Sequence, residues 1–458
     1  MENLSIKELL LATQGKLVLG NENDFVSDVV IDSRKANENN VFVAIVGENL
    51  DGHNFIKNAY EQGCKTFIKN KDSQIETDYA DANIIEVSDT EIALGDIAKY
   101  YKSKFDIPFI GITGSVGKTT TRDMVYAAVS SKFNSLKNEG NLNNQLGVPL
   151  TLFELNKEHE CAVIEMGMSG FNEIEYLANI VNPKIGVISN IGLSHIERLG
   201  SQEGILKAKM EITTNFDCNS TLIINGDDKF LSTVKNEDYD YTVKKFGFNK
   251  DNDIYCEDFT MYEDSLTFTC VINNNKEEIT IPTVGEHNIY NAMAAILVGM
   301  SLGISLEDIK LGLKYYKATK MRLDIVKNEN LTIINDTYNA SPDSMNAALK
   351  ILGRYEERKV AILGDMFEMG EHAEYGHRLV GKNTIGNADL LITIGQDSKF
   401  IGEEASNLGF ESKSIYHFEN KEDAIKELDK LIKQKDIVLV KASRGMKLEK
   451  IVEHLNKK

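Results

Sequence analysis

The chain has 458 residues and a mass of 51.2 kDa, enough for two to four domains and too much for a single small binding module. Its 51 Lys and Arg against 70 Asp and Glu leave a net charge of −19, which opposes the phosphate contacts of nucleic-acid binding, so no nucleic-acid partner is expected. Five Cys without a CxxC pair, an acidic start with no signal-peptide core and no apolar run of the ~18–20 residues that span a bilayer exclude a disulfide framework, export and membrane insertion, and lead us to expect a cytoplasmic protein.

Apolar runs at 29–31 and 41–46, a polar Asp32-Ser33-Arg34 corner and a helical stretch at 54–62 predict a small α/β domain ending near Val87. Helical spacing over 90–105 leads into an apolar strand at 107–112 and a Gly-rich turn. Strands at 162–165, 185–191 and 221–224 then alternate with helices at 119–133, 172–180 and 204–216, which implies a mostly parallel sheet. Period-two patterning within 253–283 predicts an appended antiparallel hairpin, and an apolar helix at 292–302 closes the unit. After about Tyr316 the alternation restarts, with strands at 332–335, 360–363, 390–394 and 437–440. The expected fold is therefore α/β in three domains: a small N-terminal α/β domain (1–87), a central P-loop-containing, mostly parallel sheet (88–316) and a C-terminal Rossmann-like domain (317–458).

Gly111, Gly114 and the run Gly117-Lys118-Thr119-Thr120 stand between a predicted strand and a helix, where backbone N–H groups and the positive helix end cradle phosphate. Lys118 is expected at the β and γ phosphates of a nucleotide and Thr119 at Mg2+. The spacing departs from GxxxxGK[ST], because Ile112 stands six residues before Lys118. A strand-to-helix turn without a ligand is the plainer alternative. Two more strand ends supply candidate metal ligands, Glu165 and His195, at the sheet edge where open α/β folds bind ligands. Read alone, Glu165 is equally a solvated strand-end carboxylate and His195 a structural histidine.

With this loop come Lys137-Asn138-Glu139-Gly140-Asn141-Leu142-Asn143-Asn144, Glu165-Met166-Gly167-Met168, Asn190-Ile191-Gly192-Leu193-Ser194-His195 and Gly285-Glu286-His287-Asn288-Ile289-Tyr290-Asn291. The set resembles the Mur ligases of peptidoglycan precursor synthesis, over the whole chain. Within that family, Asn335-Asp336-Thr337-Tyr338-Asn339-Ala340-Ser341-Pro342-Asp343-Ser344 and Leu363-Gly364-Asp365-Met366-Phe367-Glu368-Met369-Gly370 look like the member that adds the last dipeptide. The Asn-Pro-Arg motif typical of the sister enzyme that adds the third residue is absent.

The resemblance implies an ATP-dependent amide ligase that works through an acyl phosphate, with UDP-N-acetylmuramoyl-tripeptide and D-alanyl-D-alanine as substrates and a monomer as the expected state. It implies ATP and Mg2+ at two sites, with Thr119, Glu165, His195 and Lys209 as metal ligands, Lys209 being carbamylated by CO2. Lys207, two residues away, is the competing choice, and a surface lysine is the alternative for either. Lys118, His195 and Lys209 would be catalytic. Gly114, Gly117, Lys118, Thr119 and Thr120 would hold the nucleotide phosphates, Asn291 the adenine, Arg322 a phosphate and Asp336 the ribose, the last two only once the domains close. Helix capping would equally explain Asn288 and Asn291. Ser33 and Arg34, with His53 a weaker candidate, resemble the segments that hold the UDP end. Asn339 and Ser341, with Lys441, Ser443 and Arg444, are candidates for the incoming dipeptide. The rival readings are another ligase of the family, adding a diamino acid, and a P-loop nucleotide switch that makes no covalent product.

Overall fold

Three large sheets, with a two-stranded pair of Leu4–Ser5 and Phe25–Val26, organise the computed structural model, which describes residues 1–74, 79 and 81–457. The N-terminal sheet has five strands in the order Lys16–Leu19, Asn83–Val87, Thr66–Asn70, Asn40–Val43, Asp28–Val30, parallel apart from its first pair. Beside it the helix Thr90–Lys102, capped by Asp89, buries Ala93, Leu94, Ile97, Ala98 and Tyr101 along one face. That face joins the N-terminal sheet to the central one in a single apolar cluster, and Tyr101 Oη donates to Leu155 O at 2.6 Å.

The central sheet has nine strands. Its parallel heart holds β1 (Phe109–Thr113), β2 (Cys161–Glu165) and β3 (Ile185–Ile188), with β1 between the other two. All three are fully buried on both faces, as expected of Val- and Ile-rich strands covered by helices on either side. The registers Glu165↔Ile112 and Ile188↔Thr113 bring their carboxyl ends level. The predicted hairpin at 253–283 is instead a three-stranded meander, Ile254–Met261, Leu266–Ile272 and Asn275–Ile281. Its first strand escaped the pattern because a bulge at Cys256/Asp258 breaks the alternation. Helix α1 (Lys118–Val129) follows β1, α2 (Gln202–Met210) follows β3, and α3 (His287–Ser301) starts five residues before the predicted helix.

The C-terminal sheet has six strands, five of them parallel, including β4 (Thr332–Asp336), β5 (Lys359–Gly364) and β6 (Ile437–Lys441). Its two edge strands, Asp324–Lys327 and Ile415–Phe418, were not predicted; each has four residues and none fully buried, so neither carries a hydrophobic signature. No helix of the described residues is long and apolar enough to cross a membrane. All five Cys are free, and only Cys218 is exposed.

Candidate active site

The loop between β1 and α1 is built for close approach. Gly114 (φ 154°) and Gly117 (φ 82°) take backbone shapes open to glycine, and a Cβ on Gly114 would lie 1.9 Å from Ser189 Oγ. From the end of β3, Asn190 clamps the loop: its Oδ1 accepts from Val116 N and its Nδ2 donates to Val116 O, both at 2.9 Å. Gly117 caps α1 without a side chain, which leaves the first-turn N–H groups for an anion. Lys118 Nζ bends back to Gly114 O at 2.8 Å. Burial pushes its ammonium below the ordinary lysine range, against the opposing pull of Glu165 and Glu368.

A cavity of about 700 Å³ opens over this loop. Gly117, Lys118, Thr119, Thr120, Asn291, Arg322, Asp336, Asn339 and Ser341 all line it, so residues of the central and C-terminal sheets meet around one space. Several of its polar atoms are uncommitted among the described residues: the buried Ser115 Oγ and Arg322 Nε have no hydrogen-bond partner, and the Thr119 hydroxyl makes no hydrogen bond. Arg322 instead stacks on Tyr338, 4.0 Å from the ring centre. Asp336 Oδ2 accepts from Lys441 Nζ at 2.6 Å, and Lys441 also reaches Asn339 O at 2.9 Å. Burial lowers the Lys441 ammonium, and Asp336 acts to raise it.

Some candidates already have local duties. Asn291 accepts from Thr121 Oγ1 and donates to Asn288 Oδ1, each at 2.9 Å, and neither Asn caps α3, whose cap is Glu286 without a side-chain bond. Ser341 caps the helix Pro342–Leu352 in a box with Ser344. Ser33 and Arg34 do not reach the cavity. Arg34 is exposed and forked onto Asp32 (2.7–3.2 Å), which holds the Asp32 carboxyl down to about 2. His53 is buried, with Nδ1 2.6 Å from Asp51 and Nε2 accepting from Asn70 N at 2.9 Å, a bracing role within its own sheet.

Glu165, His195 and Lys209 lie outside the cavity lining, on the side of Lys118 where its charge is felt by Lys209. Glu165 is 1% exposed; Oε2 takes Arg122 Nη1 at 3.3 Å and Oε1 takes Asn143 Nδ2 at 2.7 Å, which leaves each oxygen a further lone pair. Lys209 is also 1% exposed and has no acceptor among the described residues. Burial, reinforced by Lys118, drives its amine well below the ordinary lysine range. Lys207 is exposed over the Phe171 ring, which separates the two lysines. His195 sits at φ 63° with Nδ1 3.0 Å from Glu368 Oε2. No three His, Cys, Asp or Glu converge among the described residues, so a cation here would depend on hydroxyl, carboxylate, imidazole and lysine-derived oxygen together.

Beneath the loop lies a network that the sequence did not announce. Arg122, fully buried, holds Asp123 Oδ1 through Nε and Nη2 at 3.0 and 2.8 Å, and Lys137 reaches the same oxygen at 2.8 Å. Asn138 brackets Glu165 by its backbone, at 2.9 and 3.0 Å. The 137–144 motif was the signal for Lys137, Asn138 and Asn143; Arg122 and Asp123 had none.

Three family models match the chain: the Mur ligase family catalytic domain at 26–102, the Mur ligase middle domain at 112–299 and the Mur ligase glutamate ligase domain at 321–444. A UDP-N-acetylmuramoyl-tripeptide–D-alanyl-D-alanine ligase of Bacillus subtilis is 38% identical over 95% of this chain and 94% of its own length. A crystal structure of MurF from Acinetobacter baumannii superposes with a TM-score of 0.91 at 30% identity, covering all of both chains. MurF from Thermotoga maritima, solved with ADP, gives 0.83 at 27% identity over 94% of this chain and 97% of that one.

Proposed function

The chain belongs to the Mur ligase family, and on that premise we propose that it joins D-alanyl-D-alanine to UDP-N-acetylmuramoyl-tripeptide with ATP, in peptidoglycan precursor synthesis, as a cytoplasmic monomer. The observation that carries this reading is the convergence of Lys118 and Thr119 with Arg322 and Asp336 on one cavity, beside buried Glu165 and Lys209. A nucleotide switch has no use for the second group. Full-length likeness to dipeptide-adding enzymes disfavours a diamino-acid ligase.

The reaction needs an activated carboxylate. An oxygen of the tripeptide's terminal carboxylate attacks the γ phosphorus, the bond to the bridging oxygen breaks, and ADP leaves. The dipeptide amine then attacks the acyl carbon, phosphate departs with the bonding pair, and the nitrogen loses a proton. Lys118 and the α1 N–H groups would swing onto the γ phosphoryl oxygens, charge held ready for the transition state. Arg322, with its unpaired Nε, would meet a phosphate from the other side, and Asp336 the ribose. Asn291 has one amide N–H left for the adenine.

Thr119, Glu165, His195 and a carbamylated Lys209 would hold Mg2+, which neutralises crowded phosphate and carboxylate oxygens. The uncommitted Thr119 hydroxyl, the spare Glu165 lone pairs and the buried Lys209 amine, unpaired among the described residues, fit that role. Carbamylation is balanced chemistry: the amine adds to the carbon of CO2 and gives up one proton. In the test, each amine acceptor is offered with each UDP-linked peptide, and ADP release is scored. Release only with D-alanyl-D-alanine and the tripeptide supports the reading; release without an acceptor refutes it.

A further inference from the structure

Glu368, which none of these roles uses, reaches the site from the C-terminal side. It lies on the turn after β5, with its carboxylate 3.0 Å from His195 Nδ1. Both residues have left-handed backbones, φ 61° and φ 63°, which a side chain adopts only where surrounding structure holds it. The Glu368 turn is tied to its own domain: Phe367 N–H donates to Ser443 Oγ at 2.9 Å, and Met366 N–H to His377 Nε2 at 3.0 Å. Opposite, His195 opens the short helix Ile196–Leu199, and Gly370 presses against it so closely that a Cβ would lie 2.8 Å from the Glu197 side chain. No described residue partners His195 Nε2. Nδ1 thus faces a carboxylate while Nε2 has no partner among the described residues, the pairing in which carboxylates orient ligand imidazoles.

We propose that Glu368 is a positioning residue: its carboxylate accepts the His195 Nδ1–H bond, fixing tautomer and ring orientation, so the central site is complete only with the C-terminal domain docked. Glu368 is largely exposed, so the contact contributes orientation more than stability. For catalysis this rests on the ligase reading above, but its geometry is open to an independent measurement.

The experiment labels the eight histidines with 15N, assigns His195 through His195→Asn, and compares the metal-free wild type with Glu368→Ala and Glu368→Gln, alongside steady-state kinetics. Wild type and Glu368→Gln, whose amide oxygen still accepts, should show the Nδ1–H tautomer; Glu368→Ala should lose it. The Ala variant should also lose about 10- to 100-fold in kcat with KM for ATP nearly unchanged, and Gln should recover most of that rate. An Ala variant that keeps either the tautomer or the rate, or a Gln variant as impaired as Ala, overturns the proposal. Absence of ligated product from wild type with the tautomer shift intact would instead overturn the ligase reading alone.

Discussion

The Arg122 guanidinium stands 3.3 Å from the Glu165 carboxylate, and both side chains are sealed from solvent. The same guanidinium binds Asp123, which also accepts from Lys137 and from Thr319 in the segment leading to the C-terminal sheet. One buried cation and one half-buried cation therefore face two buried anions. Removing Arg122 strands the carboxylates, a loss that costs about 3–5 kcal/mol in comparable sites. Arg122→Ala should lower the urea midpoint accordingly, and Arg122→Lys, which keeps charge but not the fork, should fall between. A change below about 1 kcal/mol in Arg122→Ala would contradict the network's role.

Lys118→Met separates stability from activity. Burial already disfavours the Lys118 charge, so removing it should leave thermal stability equal or higher. Turnover should fall by about 100- to 1000-fold, because the γ phosphate loses its mobile cation. Ligase rates within about threefold of wild type would remove the loop from the mechanism.

Lys209→Ala should lose most activity, and acetate or formate should restore part of it by supplying the missing oxygen. Lys207→Ala should be mild, because that side chain lies exposed over Phe171. Equal tolerance of both substitutions would show that Lys209 is not a ligand.

The features legible in the sequence were those with local causes. The strand, Gly114, Gly117 and Lys118 sit within ten residues, so the loop declares itself by pattern. Lys209 and Lys207 were separable only by resemblance until burial divided them, because both lie on one short helix. Arg122-Asp123 reads as an ordinary solvated pair on a helix; its burial comes from packing against Glu165 and the 137–143 segment, contacts distant in sequence. Glu368 was visible only as part of a motif, since its partner His195 lies on another sheet's loop. Arg34, a candidate anion contact by type, stands exposed with its fork on the neighbouring Asp32, a pairing that residue type alone does not announce.

His287 makes a pH prediction. Burial, with the Lys441 charge adding and Asp336 opposing, lowers its imidazole to about 4 from the ordinary 6.5. The unfolded chain therefore binds more protons between those values, so this group makes stability rise with pH across about 4 to 6.5 and adds nothing further above. The contribution is on the order of 3–4 kcal/mol. Denaturation midpoints of His287→Gln should be flatter than wild type over that window; parallel curves would contradict the burial of a neutral imidazole.

Mass spectrometry of the product tests the central claim most directly, using purified protein, ATP, Mg2+, D-alanyl-D-alanine and a mixture of UDP-linked dipeptide and tripeptide substrates with a free diamino acid. The account predicts one new species, the tripeptide nucleotide carrying both alanines less one water, formed in step with ADP and phosphate. A dipeptide nucleotide extended by the diamino acid, or ATP consumed with every nucleotide peptide unchanged, would contradict it.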